Sequence, residues 1–517
     1  LKPQELIPYP LDIRSRVHGY GGGAFAIKPL NDIFFLTWVS ALDNCLWFQK
    51  FCISRQANIK ETKTYLISMD SAICLSSKGE YNLGDGLIDL VRKRWLGIME
   101  LNNKDFIVTY SLEERNQSPQ IIYSAIDFAG YPSISPEGDH LTWVEWQHPF
   151  MPWDRSQLYF AKLAINGEVL EKEVIAGSSK LSKSVSVFQP CWLSNDQIIV
   201  AEDSGGWWNL IISDVRSKVD NFYSWRKLCN IKAEFGQPQW VAGMSSYGIS
   251  KDKVICSICK DGIWKIMIIN NNGNYEIIDQ PFEEISSIFI DKNRLIAIAS
   301  NPFNESGLLE LNIIDKIFYH EASRRPILKK DEISIAESLW FKGFNGELTQ
   351  AWYYSPINKY RKKVPLLVRV HSGPTAMSGN GLDLVVQFWT SRGWGILDVN
   401  YGGSSGYGRE YRERLKYSWG KVDVFDCIKA AEILIKKGIA DKELIAIEGG
   451  SAGGFTALCC LYSSNLFKVA ACKYAVADLV LMSKGTHRFE DGYLNYLIGS
   501  LDSEYDSYVD RSPIYNI

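Results

Sequence analysis

A glycine-rich turn between two apolar runs is the feature that most constrains the fold of this chain. The run Leu444–Ile447 has the pattern of a buried strand, and Gly449–Gly454 follows with the sequence Gly-Gly-Ser-Ala-Gly-Gly, after which an apolar helical pattern begins. In a Gly-x-Ser-x-Gly turn the serine occupies a strained backbone position, and the glycines let the strand and the helix pass close together. The pattern predicts a nucleophile elbow, with Ser451 as the nucleophile and Gly449 and Gly453 as the glycines that permit the turn.

The residue after the predicted nucleophile has a second role. The backbone amide of Ala452 would point at the position where a tetrahedral oxyanion forms, beside a helix N-terminus that favours negative charge. A glycine-rich turn without chemistry is the alternative interpretation. The strand before the turn and the helix after it make that alternative the weaker one.

The length and net charge of the chain limit how many domains it forms and which partners it can bind. A chain of 517 residues is too long for one ordinary hydrophobic core, so two or more domains are expected. A net charge of −3 gives no electrostatic footprint for nucleic acid or anionic membrane, and no apolar run is long enough to span a bilayer. We therefore expect no nucleic-acid or membrane partner. Because the chain begins at Leu1 rather than at methionine, an internal fragment or a processed product is expected.

The eleven cysteines do not form a disulfide framework, because they lack its dense, regular spacing and their number is odd. Cys256 and Cys259 have the spacing of a metal-binding or redox pair, but they lie in an alternating strand pattern that puts them on opposite faces. No second cysteine pair or histidine pair completes a zinc site. The sequence thus predicts buried thiols in a reducing, cytoplasmic setting, with no metal and no cofactor.

The first two-thirds of the chain repeat a unit of turn, apolar strand, polar break and aromatic strand. Ser135–Asp139 precedes the strand pattern Leu141–Trp146, and Lys251–Lys253 precedes Val254–Cys259. A period of roughly 40–55 residues with four strands each is typical of propeller blades. A pair of β-sandwiches is the alternative, and the propeller is preferred because more than four units occur in succession. The prediction is an all-β propeller over residues 1–330 with an incomplete first blade, its tryptophans packing between blades.

Near residue 330 the pattern changes to strands that alternate with helices. The buried-strand run Pro365–Val370 ends in a glycine-containing loop, and a helix is predicted over Val422–Lys437 before the elbow strand. Such alternation indicates a mostly parallel sheet covered on both sides, with functional groups at the C-terminal ends of its strands. Residues 331–517 are therefore predicted to form a second, α/β domain.

Several motifs together resemble the prolyl oligopeptidase family of serine peptidases, in its acylaminoacyl-peptidase and dipeptidyl-aminopeptidase branch. The resemblance covers most of the chain and rests on the elbow and on the following segments: His371–Pro374, Tyr401–Gly408, Ser135–Gly138, His148–Trp153, Gly205–Asn209, Glu234–Trp240, His487–Glu490 and Tyr508–Ile514. It implies an N-terminal β-propeller that caps a C-terminal α/β-hydrolase domain, with the active site between them. It also implies hydrolysis of short peptides, because the propeller excludes folded proteins.

The same resemblance implies roles for individual residues. Ser451 is the nucleophile, and the Ala452 amide is one oxyanion donor. The second donor is either the backbone amide of Gly373 or the hydroxyl of Tyr407. The loop Tyr401–Gly408 departs from the family pattern, because Gly402 occupies a position where many relatives have arginine.

The order of a hydrolase triad is Ser, then Asp, then His, and only 66 residues (517 − 451) follow Ser451. Asp478 and His487 are only 9 residues apart (487 − 478), too close for loops that follow two successive parallel strands. We therefore expect the triad Asp and His beyond Ile517, a hydrolase domain without its last strands, and weak or no activity of this chain alone. His371 and His487 are interpreted as loop structure.

Two other functions stay open at this point. One is an esterase or amidase of the same architecture that acts on non-peptide acyl compounds, and the other is a catalytically silent propeller that serves as an interaction module. A substrate anchor is expected but not placed, and Glu202 is a weak candidate for it. A homo-oligomer is left open.

Overall fold

The computed structural model describes residues 4–7, 9, 11–58, 61–178, 184–216, 218–219, 222–358 and 361–516. Within these residues, six antiparallel sheets follow one another along the chain as far as Ala322. The innermost strand of every sheet lines the same groove, so the six sheets are arranged as blades around one axis. The predicted β-propeller is confirmed.

The strands of each blade pair in chain order, as expected for sequences in which a turn separates each strand from the next. Blade 1 contains β1 (Phe25–Leu30), β2 (Ile33–Val39), β3 (Leu46–Asn58) and β4 (Glu61–Ser68), with the short β5 (Ile73–Cys74) paired to β3. Blade 2 contains β6 (Asn82–Asp89), β7 (Arg94–Leu101), β8 (Lys104–Ser111) and β9 (Gln120–Ser124). Blade 3 contains β10 (Phe128–Ile134), β11 (His140–Trp146), β12 (Gln157–Leu163) and β13 (Val169–Gly177).

The remaining three blades follow the same order. Blade 4 contains β14 (Val187–Trp192), β15 (Gln197–Glu202), β16 (Asn209–Asp214) and β19 (Arg226–Lys227), with the two-stranded β17 (Lys218–Val219) and β18 (Phe222–Tyr223) inserted. Blade 5 contains β20 (Tyr247–Ser250), β21 (Lys253–Lys260), β22 (Ile263–Asn270) and β23 (Tyr275–Ile277). Blade 6 contains β24 (Glu284–Asp291), β25 (Arg294–Asn301), β26 (Asn304–Asn312) and β27 (Phe318–Ala322).

Four innermost strands share a local irregularity. The register of β6, β10, β14 and β24 shifts at a residue with positive φ, and these residues are Asp85, Tyr131, Gln189 and Ser287. A bulge of this kind bends the strand and re-aims the side chain at the bulge. In blades 2 and 3 the bulges place the Tyr131 amide where it donates to the Asp85 carboxylate at 2.5 Å.

Apolar side chains fill the spaces between the blades. Trp143 and Trp208 are fully buried, as predicted for packing residues. Cys256 and Cys259 are also fully buried, and they belong to different hydrophobic clusters on the two faces of β21, which confirms their predicted placement.

The second domain is a six-stranded sheet with the order β28–β29–β31–β30–β32–β33. Its strands are β28 (Ala336–Lys342), β29 (Leu348–Tyr354), β30 (Val364–Val370), β31 (Gly395–Asn400), β32 (Ala440–Gly450) and β33 (Val469–Lys473). The four strands from β31 to β33 in this order run parallel, whereas β28 and β29 are antiparallel to their neighbours. The predicted boundary at residue 330 falls between β27 and β28.

The helices of this domain are α1 (Leu384–Thr390), α2 (Arg409–Glu413), α3 (Val422–Lys436), α4 (Ala452–Ser463), α5 (Leu479–Met482), α6 (Tyr493–Leu497) and α7 (Leu501–Arg511). The predicted helix over 422–437 corresponds to α3, which packs against α4 and against the parallel strands β30, β31 and β32. The α/β-hydrolase prediction is confirmed. No helix in the described ranges is long and apolar enough to cross a bilayer.

Candidate active site

The predicted elbow joins β32 to α4. Ser451 has φ 52° and ψ −122°, a conformation that costs a non-glycine residue about 1–3 kcal/mol. A Cβ atom on Gly449 would lie 2.3 Å from the carbonyl oxygen of Gly453, and one on Gly453 would lie 2.3 Å from the carbonyl oxygen of Val370. The two glycines are therefore required for the close approach of α4 to β32 and β30.

The nucleophile candidate stands at the N-terminus of α4. Its backbone amide donates to the carbonyl oxygen of Lys473 at 3.0 Å, which fixes the elbow to the end of β33. Among the described residues, neither the hydroxyl of Ser451 nor the amide of Ala452 has a hydrogen-bond partner. A serine hydroxyl and a free amide next to a helix N-terminus are the groups that nucleophilic attack and oxyanion binding need.

The loop after β30 lies against the elbow. The Ser372 hydroxyl donates to the carbonyl oxygen of Gly450 at 2.8 Å, so this loop is tied to the residue that precedes Ser451. Gly373 has φ 129°, and its amide has no acceptor within the described part of the chain. The structure thus brings the Gly373 loop beside the elbow.

Tyr407 lies in a different environment. Its hydroxyl is buried, donates to Gln350 Oε1 at 2.7 Å and accepts a hydrogen bond from Asn400 Nδ2 at 3.0 Å. Burial raises the pKa of this phenol well above its ordinary value. The hydroxyl of Tyr407 is thus already hydrogen-bonded to other side chains of the hydrolase core.

His371 is the histidine of the loop beside the elbow, and its ring is held by neighbours other than Ser451. Nε2 lies 2.7 Å from the Ser404 hydroxyl, and the ring stacks on Tyr401 with centroids 4.3 Å apart. Burial lowers the pKa of His371 to about 4, so the ring is neutral at physiological pH.

The other five histidines are also engaged elsewhere. Their partners are Asp105 for His18, Asp139 for His140, Asp127 for His148, the Ala299 carbonyl oxygen for His320, and Glu490 for His487. Asp478 accepts from the amide of Leu481 and caps α5. Within the described residues, no imidazole is hydrogen-bonded to the Ser451 hydroxyl.

A group of charged side chains connects the ends of three strands next to the elbow. Arg369 on β30 lies 2.9 Å from Asp383, 3.3 Å from Asp398 on β31 and 3.0 Å from Glu448 on β32. These groups line a cavity of about 350 Å³ that opens beside Gly449 and Gly450. Burial raises the pKa of Asp398 to about 6. One guanidinium thus holds together the strands that carry the elbow and the Gly373 loop.

A second ionic group, which we call the interdomain cluster, lies between the domains and was not anticipated from the sequence. Asp203 of blade 4 accepts from Arg409 Nη1 at 2.6 Å and from Arg412 Nη2 at 2.7 Å, and all three side chains are buried. Glu234 accepts from the amides of Trp208 and Gly408. The spacing of Arg409 and Arg412 on α2 puts both on one helix face, which is the only sequence signal for this contact.

Further contacts connect the propeller to the Gly373 loop. The Trp240 indole donates to the carbonyl oxygen of Thr375 at 2.8 Å, and the Thr375 hydroxyl lies 2.5 Å from that of Tyr493. Glu202, the weak anchor candidate, accepts from the Ser204 hydroxyl at 2.7 Å. No group of His, Cys, Asp and Glu side chains in the described ranges is arranged to hold a metal ion.

Comparison with known proteins places these features in a family. The family model described as "Prolyl oligopeptidase family" matches residues 380–517, which include the elbow and the Tyr401–Gly408 loop. The C-terminal part of the hydrolase domain is thus similar to the prolyl oligopeptidase family. The resemblance inferred from the elbow and the two glycine-containing loops is thereby confirmed.

Individual proteins resemble the chain over different lengths. A puromycin-hydrolyzing peptidase of Mycobacterium tuberculosis has a solved structure with a TM-score of 0.88 and 27% identity, covering 99% of this chain and 78% of that one. An uncharacterized peptidase, YuxL, of Bacillus subtilis (strain 168) is 23% identical over 46% of this chain and 36% of its own length. An acylamino-acid-releasing enzyme of Oryza sativa subsp. japonica is 33% identical over 30% of this chain and 21% of its own length. The alignments thus span about a third or less of these two curated relatives.

Proposed function

We propose that the chain carries the propeller and the nucleophile of a serine peptidase that hydrolyses short peptides, releasing an acylamino acid or a dipeptide. The observation that carries this proposal is the elbow, where Ser451 is held at φ 52° with an unpartnered hydroxyl at the start of α4. Backbone strain of this kind is found mainly at functional sites, where the surrounding structure holds the residue in its strained conformation. The names of the relatives, a puromycin-hydrolyzing peptidase and an acylamino-acid-releasing enzyme, support hydrolysis of an amide bond near one end of a small substrate.

The oxyanion hole in this proposal is formed by two backbone amides, those of Ala452 and Gly373. Both amides lack an acceptor within the described residues, and the Gly373 loop is tied to the elbow through Ser372. Tyr407 is the less favoured donor because its hydroxyl already bonds to Gln350 and Asn400. Loss of one oxyanion donor costs roughly 3–4 kcal/mol of transition-state stabilisation.

The general base is proposed to be none of the six histidines of this sequence. Each histidine has another partner, and the closest candidate by position, His371, is neutral and stacked on Tyr401. Without a base, the oxyanion hole and substrate binding alone still accelerate hydrolysis by about 10³–10⁴-fold over water in serine peptidases. We therefore propose weak activity for this chain by itself.

The test is a substrate panel measured on the chain and on its Ser451→Ala variant. The panel contains an N-acetylated peptide, a free-amine dipeptide p-nitroanilide, an intact folded protein and a p-nitrophenyl ester. The proposal predicts slow cleavage of the short peptides that the variant lacks, and no cleavage of the folded protein. Equal rates for the chain and the variant would overturn it, and Ser451-dependent cleavage of the ester alone would favour a non-peptide esterase.

A further inference from the structure

The Ser372 side chain joins the two halves of the proposed oxyanion hole. Its hydroxyl donates to the carbonyl oxygen of Gly450 at 2.8 Å. Gly373, which carries one donor amide, is the residue after Ser372, and Ala452, which carries the other, is two residues after Gly450. A single hydrogen bond of a side chain thus connects the two segments on which the donor amides lie.

The backbone contacts between these two segments end before the donor amides are reached. The parallel pairing of β30 with β32 ends at Val370, opposite Gly449. Beyond this pair, the Ser372 bond is the only hydrogen bond between residues 371–375 and 450–453 in the described part of the chain. One residue earlier, the ion pair of Arg369 with Glu448 holds the two strands together. The sheet therefore does not depend on Ser372, whereas the spacing between the loop and the elbow does.

The peptide unit that precedes the nucleophile is held from both sides. Its carbonyl oxygen, on Gly450, accepts from the Ser372 hydroxyl, and its amide, on Ser451, donates to the carbonyl oxygen of Lys473 at 3.0 Å. Because a peptide unit is planar, these two bonds together fix its orientation. Loss of the Ser372 hydroxyl would free one side of the backbone that leads into the elbow.

The far side of the Gly373 loop is attached to other parts of the protein. The Tyr401 hydroxyl donates to the Pro374 carbonyl oxygen at 3.0 Å, and the Trp240 indole donates to that of Thr375 at 2.8 Å. These bonds keep the loop folded when the Ser372 hydroxyl is absent. Ser372 is exposed and lines the cavity of about 350 Å³ beside the elbow, so water can replace its hydroxyl. Removal of the hydroxyl should therefore change the position of the loop and not the stability of the fold.

We infer that Ser372 is a positioning residue that sets the distance between the Gly373 and Ala452 amides. Groups that act together on a reacting atom must be held within about 0.5 Å of the productive geometry. A shift of the loop relative to the elbow would weaken the hydrogen bonds to the oxyanion, which forms only in the transition state. This inference rests on the proposed function and names the side chain that assembles its oxyanion hole.

The first test measures acylation by p-nitrophenyl acetate in the parent chain, Ser372→Ala and Ser372→Thr. In this reaction the Ser451 oxygen bonds to the acetyl carbon, p-nitrophenolate leaves, and the hydroxyl proton passes to water. Ser372→Ala should lower the maximal acylation rate about tenfold and leave the half-saturating concentration unchanged, because only transition-state binding is lost. Ser372→Thr keeps a hydroxyl and should restore most of the rate.

Ser391→Ala is the matched control. The Ser391 hydroxyl also donates to a backbone carbonyl oxygen, that of Phe388 at 2.9 Å, and Ser391 is also exposed. This bond lies within the last turn of α1 and does not involve the Gly373 loop or the elbow, so its loss should leave acylation unchanged. The melting temperatures of all three variants should stay within about 2 °C of the parent, because each change is at an exposed position.

The second test determines whether the loss of rate acts on the oxyanion. O-(p-nitrophenyl) thionoacetate has sulfur in place of the carbonyl oxygen, and sulfur accepts hydrogen bonds weakly. Its acylation rate therefore depends less on the two donor amides. Ser372→Ala should slow the reaction with the acetate about tenfold and that with the thionoacetate no more than about twofold. A general disturbance of the site would slow both reactions alike.

Equal maximal acylation rates for the parent and Ser372→Ala, or equal slowing of the two esters, would overturn the inference and leave Ser372 as loop structure only. A change confined to the half-saturating concentration would also overturn it. The proposed function survives these outcomes if mass spectrometry finds the acetyl group on Ser451 of the parent. Parent acylation no faster than that of Ser451→Ala would instead remove the proposed function and the inference with it.

Discussion

The interdomain cluster allows a quantitative prediction for Asp203→Asn. Asparagine preserves the shape of the side chain but removes the charge that accepts from Arg409 and Arg412. Asp203 is fully buried and Arg412 is nearly so, so water cannot replace the lost partner. Breaking a buried pair by removal of one partner costs about 3–5 kcal/mol, and we expect a loss in that range.

The assay is urea unfolding of the parent chain and the variant, with tryptophan fluorescence as the signal and the unfolding free energy as the result. Glu113→Gln is the control, because Glu113 forms a solvent-exposed pair with Lys93 and its loss should not be measurable.

The reasoning would be refuted if Asp203→Asn lowered the unfolding free energy no more than Glu113→Gln.

Three further predictions concern the elbow, the oxyanion hole and the interdomain acids. Gly453→Ala should cost about 1–3 kcal/mol in urea unfolding, since its Cβ would overlap the Val370 carbonyl, whereas Gly485→Ala should stay within about 0.5 kcal/mol. Tyr407→Phe should lower stability by about 1–3 kcal/mol by leaving its buried partners unpaired, without changing the rate at which Ser451 is acylated by p-nitrophenyl acetate. Burial raises the pKa of Glu234 to about 7. The stability that its protonated form contributes is complete below the ordinary carboxyl pKa and is lost as pH rises through 7. Glu234→Gln removes this titration, so it should flatten the fall in melting temperature between pH 5 and 8.

Local sequence rules predicted the elbow and the blades because short-range sterics determine both. The glycines around Ser451 are needed wherever a strand turns directly into a helix, and the turn residues before β11 or β21 mark the start of each strand. The alternation of strands and helices after residue 330 likewise follows from connection lengths.

The contacts between the domains could not be predicted, because they join residues far apart in the sequence. Arg409 and Asp203 are separated by 206 positions. The bulges at Asp85 and Tyr131 could not be predicted either, because neither position has the glycine that usually marks a left-handed residue. The role of Tyr407 was also beyond reach, since a glycine-rich loop does not reveal whether its tyrosine points to the elbow or to Gln350.

The most direct test of the central claim, that the elbow makes Ser451 a nucleophile, is the site of reaction with a fluorophosphonate. The chain is incubated with the reagent, digested and analysed by mass spectrometry, with Ser451→Ala as the matched control. The account predicts an adduct on Ser451 that forms faster than on any other serine and is absent from the variant. An adduct distributed over exposed serines, or the same labelling in Ser451→Ala, would contradict it.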